Sequence, residues 1–159
     1  MFIGSYRHQV DGKGRVALPA PLRKGMPPGS VVAIGAEGRL VIRPPEEWSA
    51  LEQRFRLTAD TAAEERRYLR ALYASAREVE LDGQGRLLLS DEHRRWAGIR
   101  ERAVFVGLGN VVEVVGEQTW DRENAELDPA AFTELGDRVG SATSSSSSAG
   151  SAPAPRPPA

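Results

Sequence analysis

Short apolar runs separated by glycine-rich turns fill two stretches of the chain, and apolar residues at helical spacing fill the stretches between and after them. Val10 and Val16 to Leu18 flank Asp11-Gly12-Lys13-Gly14-Arg15, and Leu81 and Leu87 to Leu89 flank Asp82-Gly83-Gln84-Gly85-Arg86. Two glycines per loop supply positions tolerant of positive φ, so each pentapeptide reads as the turn between two strands. After a short helical stretch, residues 30–34 and 40–42 flank Gly35-Ala36-Glu37-Gly38 as a second hairpin. Residues 103–106 and 111–115 repeat it around Gly107-Leu108-Gly109-Asn110. Pro45 opens a helix carrying Trp48, Leu51 and Phe55, and Thr61 with Glu64 reads as a capping box for a helix over 62–75. Its stripe of Tyr68, Leu69, Leu72, Tyr73 and Ala76 suits packing against the strands rather than a cofactor. After Trp120 comes a short helix, then a second opened by Asp128-Pro129 and stopped by Gly136.

The two β-rich stretches are copies of one unit. The Asp-Gly-x-Gly-Arg loops stand 71 residues apart, Arg23 falls on Arg94 at the same offset, and Gly35 meets Gly107 and Trp48 meets Trp120 at an offset of 72. One copy has too few strands to bury both faces, whereas two can interleave into one barrel. The expected organisation is a first repeat over 5–47, connecting helices over 48–75, a second repeat over 76–119, C-terminal helices over 120–136 and a disordered tail over 137–159. From Ser141 that tail is almost wholly Ser, Ala and Pro, a composition that buries too little apolar surface to offset its ordering entropy.

Composition narrows the chemistry. With 159 residues, 40% of them hydrophobic, the chain can support a core, and a formal net charge of -1 means that any basic surface is local. The absence of cysteine excludes disulfides and thiolate metal ligands. No apolar run is long enough to span a membrane and no signal-like segment opens the chain, so the expected location is the cytoplasm. His8 and His93 are the sole histidines, and no catalytic-triad, HExxH or P-loop spacing occurs. Neither an enzyme nor a cofactor, metal or small-molecule substrate is therefore expected. A paired-carboxylate enzyme built on Asp11 and Asp82 is the weakest alternative, because an Asp before Gly in a turn normally accepts backbone N–H bonds.

The arginine closing each loop has two roles open to it. It can pair with the aspartate four positions back, or project to a phosphate or a guanine edge, which its planar fork fits. Residues 1–36 hold Arg7, Lys13, Arg15, Arg23 and Lys24 against Asp11, a net of +4, whereas residues 76–102 balance six basic against six acidic side chains. Candidate DNA contacts are Arg7, Lys13, Arg15, Arg23, Arg86 and Arg94, with Asp11, Gly12, Gly14, Asp82, Gly83 and Gly85 shaping the loops. A second reading, a protein-interaction module using the C-terminal extension, has only that extension in its favour.

Met1-Phe2-Ile3-Gly4, Asp11 to Arg15 followed by Leu18-Pro19-Ala20, Leu22-Arg23, Glu47-Trp48 and Glu80 to Arg86 together resemble the MraZ transcriptional regulators over roughly residues 1–125. The resemblance implies a β-rich α+β fold, a double swapped-hairpin AbrB-like β-barrel with short flanking helices. It further implies a nucleoid-associated regulator that binds DNA repeats upstream of the division and cell-wall gene cluster, including its own promoter, as a ring-shaped homo-oligomer. The paired DxxxR motif implied in DNA binding falls on Asp11 with Arg15 and Asp82 with Arg86. Two residues depart from the pattern in the second copy: Ser90 stands where Pro is expected, and His93 where an apolar residue is expected.

Overall fold

The computed structural model describes residues 1–56 and 62–146. They form an α+β fold in two compact units, divided between Asp121 and Arg122. The first repeat contributes β1 (Ser5–Gln9), β2 (Arg15–Ala17), α1 (Ala20–Arg23), β3 (Val31–Ile34) and β4 (Leu40–Arg43). The helices α2 (Pro45–Arg56) and α3 (Ala63–Ser75) follow. The second repeat then gives β5 (Arg77–Glu78), β6 (Arg86–Leu88), α4 (Asp91–Trp96), β7 (Arg102–Gly107) and β8 (Val112–Gly116), followed by α5 (Glu117–Asn124) and α6 (Pro129–Ser146).

Strand pairing is entirely antiparallel and mostly crosses between repeats. The large sheet has the order β1-β7-β8-β4-β3-β5, and β2 pairs with β6 in a separate ribbon. Each repeat keeps its own hairpin, β3 with β4 and β7 with β8, and lends its first strand to the other: β1 lies on β7 and β5 lies on β3. The central pairings join equivalent strands, with Val16 opposite Leu87 in the ribbon and Val41 opposite Glu113 in the sheet. Those pairs are the repeat equivalents at offsets 71 and 72, so a pseudo-twofold axis passes between them. One shared core results, filled by Val16, Leu18, Leu22, Val32, Leu40, Ile42, Leu87, Leu89, Phe105, Val112 and Val114.

The hydrogen-bonded strands do not close into a barrel among the described residues. β1 and β5 are free edges of the six-stranded sheet, and β2 and β6 are bridged to the segments that follow β1 and β5 only by the single pairs Val10–Val16 and Leu81–Leu87. With three residues in each of β2 and β6 and two in β5, the ladders are too short to carry the ring of pairing round.

The α3 stripe packs inward only in part, since Tyr68 and Tyr73 stay about half exposed and face α2 rather than the strands. Leu72 and Ser75 are buried, while Tyr73 and Tyr68 meet Trp48 and Phe55 of α2 at ring separations of 5.5 and 5.3 Å. Thr61 of the expected capping box lies outside the described residues. Glu64 sits in the first turn of α3, behind an Ala62 cap with no side-chain hydrogen bond. Ser90, in place of proline, caps α4 by accepting from the His93 N–H at 3.1 Å. The buried His93 ring bonds the Ser75 carbonyl at 2.7 Å, tying α4 to the end of α3.

The C-terminal region departs from expectation at both ends. α5 begins at Glu117, ahead of Trp120, and α6 runs through Gly136 to Ser146 instead of giving way to a disordered tail at 137. Asp128 caps α6 as expected, accepting from the Ala131 N–H at 2.8 Å. Gly136 fails as a stop because a glycine inside a helix costs only about 1 kcal/mol relative to alanine. Ser141 and Thr143 then bond carbonyls one turn back, at Asp137 and Val139, each at 2.9 Å. Residues 147–159 of the expected tail lie outside the described residues. No helix among the described residues is long and apolar enough to cross a membrane.

Close backbone approach fixes where α4 ends. A Cβ on Gly116 would run into the Gly98 carbonyl, whereas one on Gly12 would meet open space. Gly116→Ala should therefore lower stability by about 1–3 kcal/mol through overpacking, with Gly12→Ala within about 0.5 kcal/mol of the parent, both read by denaturant unfolding. Equal stability of the two variants would show that the 97–98 turn yields freely.

Candidate nucleic-acid interface

Each Asp-Gly-x-Gly-Arg loop is built by one carboxylate. Asp11 Oδ1 accepts the backbone N–H groups of Lys13 and Arg15, both at 2.9 Å, and its Oδ2 accepts Arg15 Nε–H at 2.7 Å. Asp82 repeats the arrangement, taking the N–H groups of Gln84 and Arg86 at 2.9 Å and Arg86 Nε–H at 2.8 Å. The turn is closed by Gly14 N–H to the Asp11 carbonyl and by Gly85 N–H to that of Asp82. Only the second glycine of each loop needs its freedom: Gly14 and Gly85 sit at φ +85° and +73°, while Gly12 and Gly83 do not use the left-handed region.

The two loops are laced together. Leu18 N–H donates to the Gly85 carbonyl at 3.0 Å, and Leu89 N–H donates to the Gly14 carbonyl at 2.9 Å. Arg86 Nη1 also stands 3.7 Å from Asp11 Oδ2. The next layer is exchanged in the same way. A Cβ on Gly14 would sit 3.1 Å from the Arg94 guanidinium and one on Gly85 would run into that of Arg23, so each loop is backed by the arginine of the opposite repeat.

These contacts decide what the guanidinium groups can do. Arg15 and Arg86 spend Nε on their own aspartates and remain partly exposed, which leaves the Nη donors of Arg15 available, while Arg86 Nη1 also faces Asp11. Backbone N–H donation from Arg15, joined by its side chain and the Lys13 N–H, holds the Asp11 carboxyl at a pKa of about 2. The Arg86 backbone and side chain depress Asp82 in the same manner. Lys13 is exposed and has no ion pair among the described residues; its counterpart is the uncharged Gln84. Arg23 is exposed, with Nη1 3.4 Å from the Leu18 carbonyl, and Arg94 is bound through Nη2 to Asp91.

The structure thus brings five of the six candidate cations to the paired loops and leaves Arg7 out. Arg7 lies on β1 and is held by Asp121 at 2.6 Å and Glu117 at 2.9 Å, which raise its pKa. Two carboxylates more than 100 positions away in sequence neutralise it, and a count of charges over residues 1–36 cannot register them. The exposed Lys24, already part of the basic stretch of residues 1–36, and Arg95, its equivalent at offset 71, adjoin the layer of Arg23 and Arg94.

The family model described as MraZ protein, antitoxin-like, matches residues 1–71 and again residues 72–139. A protein named transcriptional regulator MraZ from Desulforamulus reducens is 34% identical over 139 residues, 87% of this chain and 97% of that protein. Its namesake from Corynebacterium glutamicum strain R is 37% identical over 139 residues, covering 87% and 96% of the two chains. That from Heliobacterium modesticaldum is 33% identical with the same coverage.

The carboxylate clamp has a pH signature. Because the folded pKa of Asp11 lies below its unfolded value of 3.8, its contribution to stability is complete above about pH 4 and is lost as pH falls towards 2. Asp11→Asn should be less stable than the parent near neutral pH, and the gap should close over that acid window. A gap independent of pH between 5 and 2 would show that the carboxylate charge contributes nothing to the loop.

Proposed function

The chain belongs to the MraZ family, and on that premise we propose that it is a sequence-specific DNA-binding transcriptional regulator rather than an enzyme. Its target is the division and cell-wall gene cluster, its own promoter included, where it binds repeated operator elements as a ring-shaped homo-oligomer in the cytoplasm, at the nucleoid. The finer description of its fold is a double swapped-hairpin AbrB-like unit in which the exchange of β1 and β5 between repeats completes one domain.

The observation that carries this reading is the laced pair of DxxxR loops. Two arginines stand on either side of a pseudo-twofold axis, each clamped at Nε by its own aspartate, and Arg86 Nη1 additionally approaches Asp11 at 3.7 Å while the Nη groups of Arg15 meet no carboxylate among the described residues. An arginine so clamped presents a fixed fork, suited to a phosphate or to guanine O6 and N7. Lys13, Arg23 and Arg94 add positive charge around it. Arg7 has no part in the surface, since its charge is already met by Glu117 and Asp121. A single chain offers few contacts, so affinity for repeated elements calls for several protomers bound in register.

The loops differ in one charge, Lys13 against Gln84, and that difference sets their order of importance. Arg15→Ala should weaken binding to the chain's own upstream DNA more than Arg86→Ala. If the Nη groups meet phosphate, the slope of log affinity against log salt should flatten by about 0.9 for each phosphate no longer neutralised. If they read guanine, the loss should be about 1–3 kcal/mol per site with sequence preference relaxed and the slope kept. Binding isotherms at several salt concentrations on operator and scrambled DNA distinguish these outcomes. Parental affinity in both folded variants would remove the loops from DNA recognition.

A further inference from the structure

The turn after α4 borders a cleft of about 540 Å³ lined by Asp91, Arg94, Arg95, Gly98, Ile99 and Arg100. Its volume falls within the roughly 300–1,000 Å³ typical of small-ligand clefts. Three guanidinium groups line it against one carboxylate, and that carboxylate is taken by Arg94 Nη2. Arg95 and Arg100 are exposed and have no ion pair among the described residues. Arg94 Nε is sealed from solvent beside Gly14 of the first loop. The floor is fixed rather than adaptable: Ile99 N–H closes the helix end onto the Arg94 carbonyl at 2.9 Å, and Gly98 holds φ +60° beneath Gly116. The cleft therefore combines a rigid base with two uncompensated cations, and an anion answers that excess of positive charge.

The first repeat does not contain the same set. At the offset of 71, Arg94 and Arg95 fall on Arg23 and Lys24, but Asp91 falls on Ala20 and Arg100 on Gly29. The third cation belongs to the second repeat alone, so the cleft is not a by-product of the duplicated fold.

We infer that this cleft binds a phosphate group through Arg95 and Arg100, with Arg94 adding its charge at the wall. A tetrahedral phosphate accepts from several planar arginine forks together, which a carboxylate of one small side chain does less well. The group can come from the DNA backbone flanking the first loop or from a free phosphorylated small molecule. Arg94 joins the two regions because it also packs over Gly14, so filling the cleft bears directly on the loop of Asp11 and Arg15. The DNA source rests on the DNA-binding reading above, and the free source does not.

The test uses the full chain and its Arg95→Ala/Arg100→Ala double variant, whose altered side chains are exposed and should leave the melting temperature unchanged. Calorimetric titration with inorganic pyrophosphate should show saturable binding to the parent and at least a tenfold loss in the variant. DNA isotherms at several salt concentrations form the second arm, in which a backbone phosphate seated here would flatten the log–log slope by about 0.9 for each such phosphate released while operator preference persists. Pyrophosphate binding with an unchanged slope assigns the cleft to a free ligand, and a flattened slope assigns it to DNA. An unchanged slope together with no arginine-dependent pyrophosphate binding overturns the inference, and the loop reading survives if Arg15→Ala still weakens DNA binding. Conversely, arginine-dependent pyrophosphate binding by a chain that shifts no operator DNA would sustain the cleft and sink the loop reading.

Discussion

The strand that leaves each loop finds its first backbone partner in the other loop: Leu18 N–H on the Gly85 carbonyl and Leu89 N–H on that of Gly14. Separated repeats would leave these groups unmet, together with the ladders of β1 on β7 and β5 on β3. Each buried backbone group without a partner costs about 1–3 kcal/mol, so neither half can reach the observed geometry alone. The lacing also explains how strands of two and three residues persist, since an isolated hairpin of that length is marginal in water. With the loops held together, Val16 and Leu87 are driven onto the axis between them and both are sealed from solvent.

On this frame the aspartate clamp acts through geometry more than energy. Asp11 and Arg15 are each about a third exposed, and ion pairs at such positions contribute at most about 1 kcal/mol. What the clamp controls is direction. Two backbone N–H bonds fix the carboxylate, the carboxylate fixes Nε, and the outward edge of the guanidinium follows with little rotamer freedom left to lose on binding. Arg23 and Arg94 press on the loops from the opposite repeat, so the positive-φ glycines leave room for an arginine as well as permitting a turn.

Much of this was legible in the sequence because its signals are local. Glycine spacing placed both turns, the offsets of 71 and 72 placed both hairpins, and Asp-to-Arg spacing offered the clamp. What escaped depends on residues far apart in the chain. An offset shows that Arg23 and Arg94 are equivalent, but not that each crosses to the other's loop. Arg7 resembled its basic neighbours until Glu117 and Asp121 came to face it. Ser90 read as a departure from pattern, yet as a helix cap it meets the same need that Pro19 meets at the start of α1, one by accepting a hydrogen bond and the other by restricting the backbone. The run of α6 past Gly136 turned on a helix-breaking cost too small to outweigh continued backbone bonding.

Carrying both repeats in one chain lets the surface diverge while the loop machinery is kept. Positions that complete the lacing or the clamp match between copies: Asp11 with Asp82, Gly14 with Gly85, Arg15 with Arg86, Arg23 with Arg94. A change at any of them would be felt in both loops, because each loop is finished by the other repeat. Exposed positions around the loops and α4 differ in charge: Lys13 against Gln84, and Ala20 against Asp91. A pair of identical chains on a true twofold axis would have to present the same residue on both sides. Here the axis relates the backbone and the buried bonds but not the outer charges, so a symmetric scaffold displays two unequal faces to whatever binds across it.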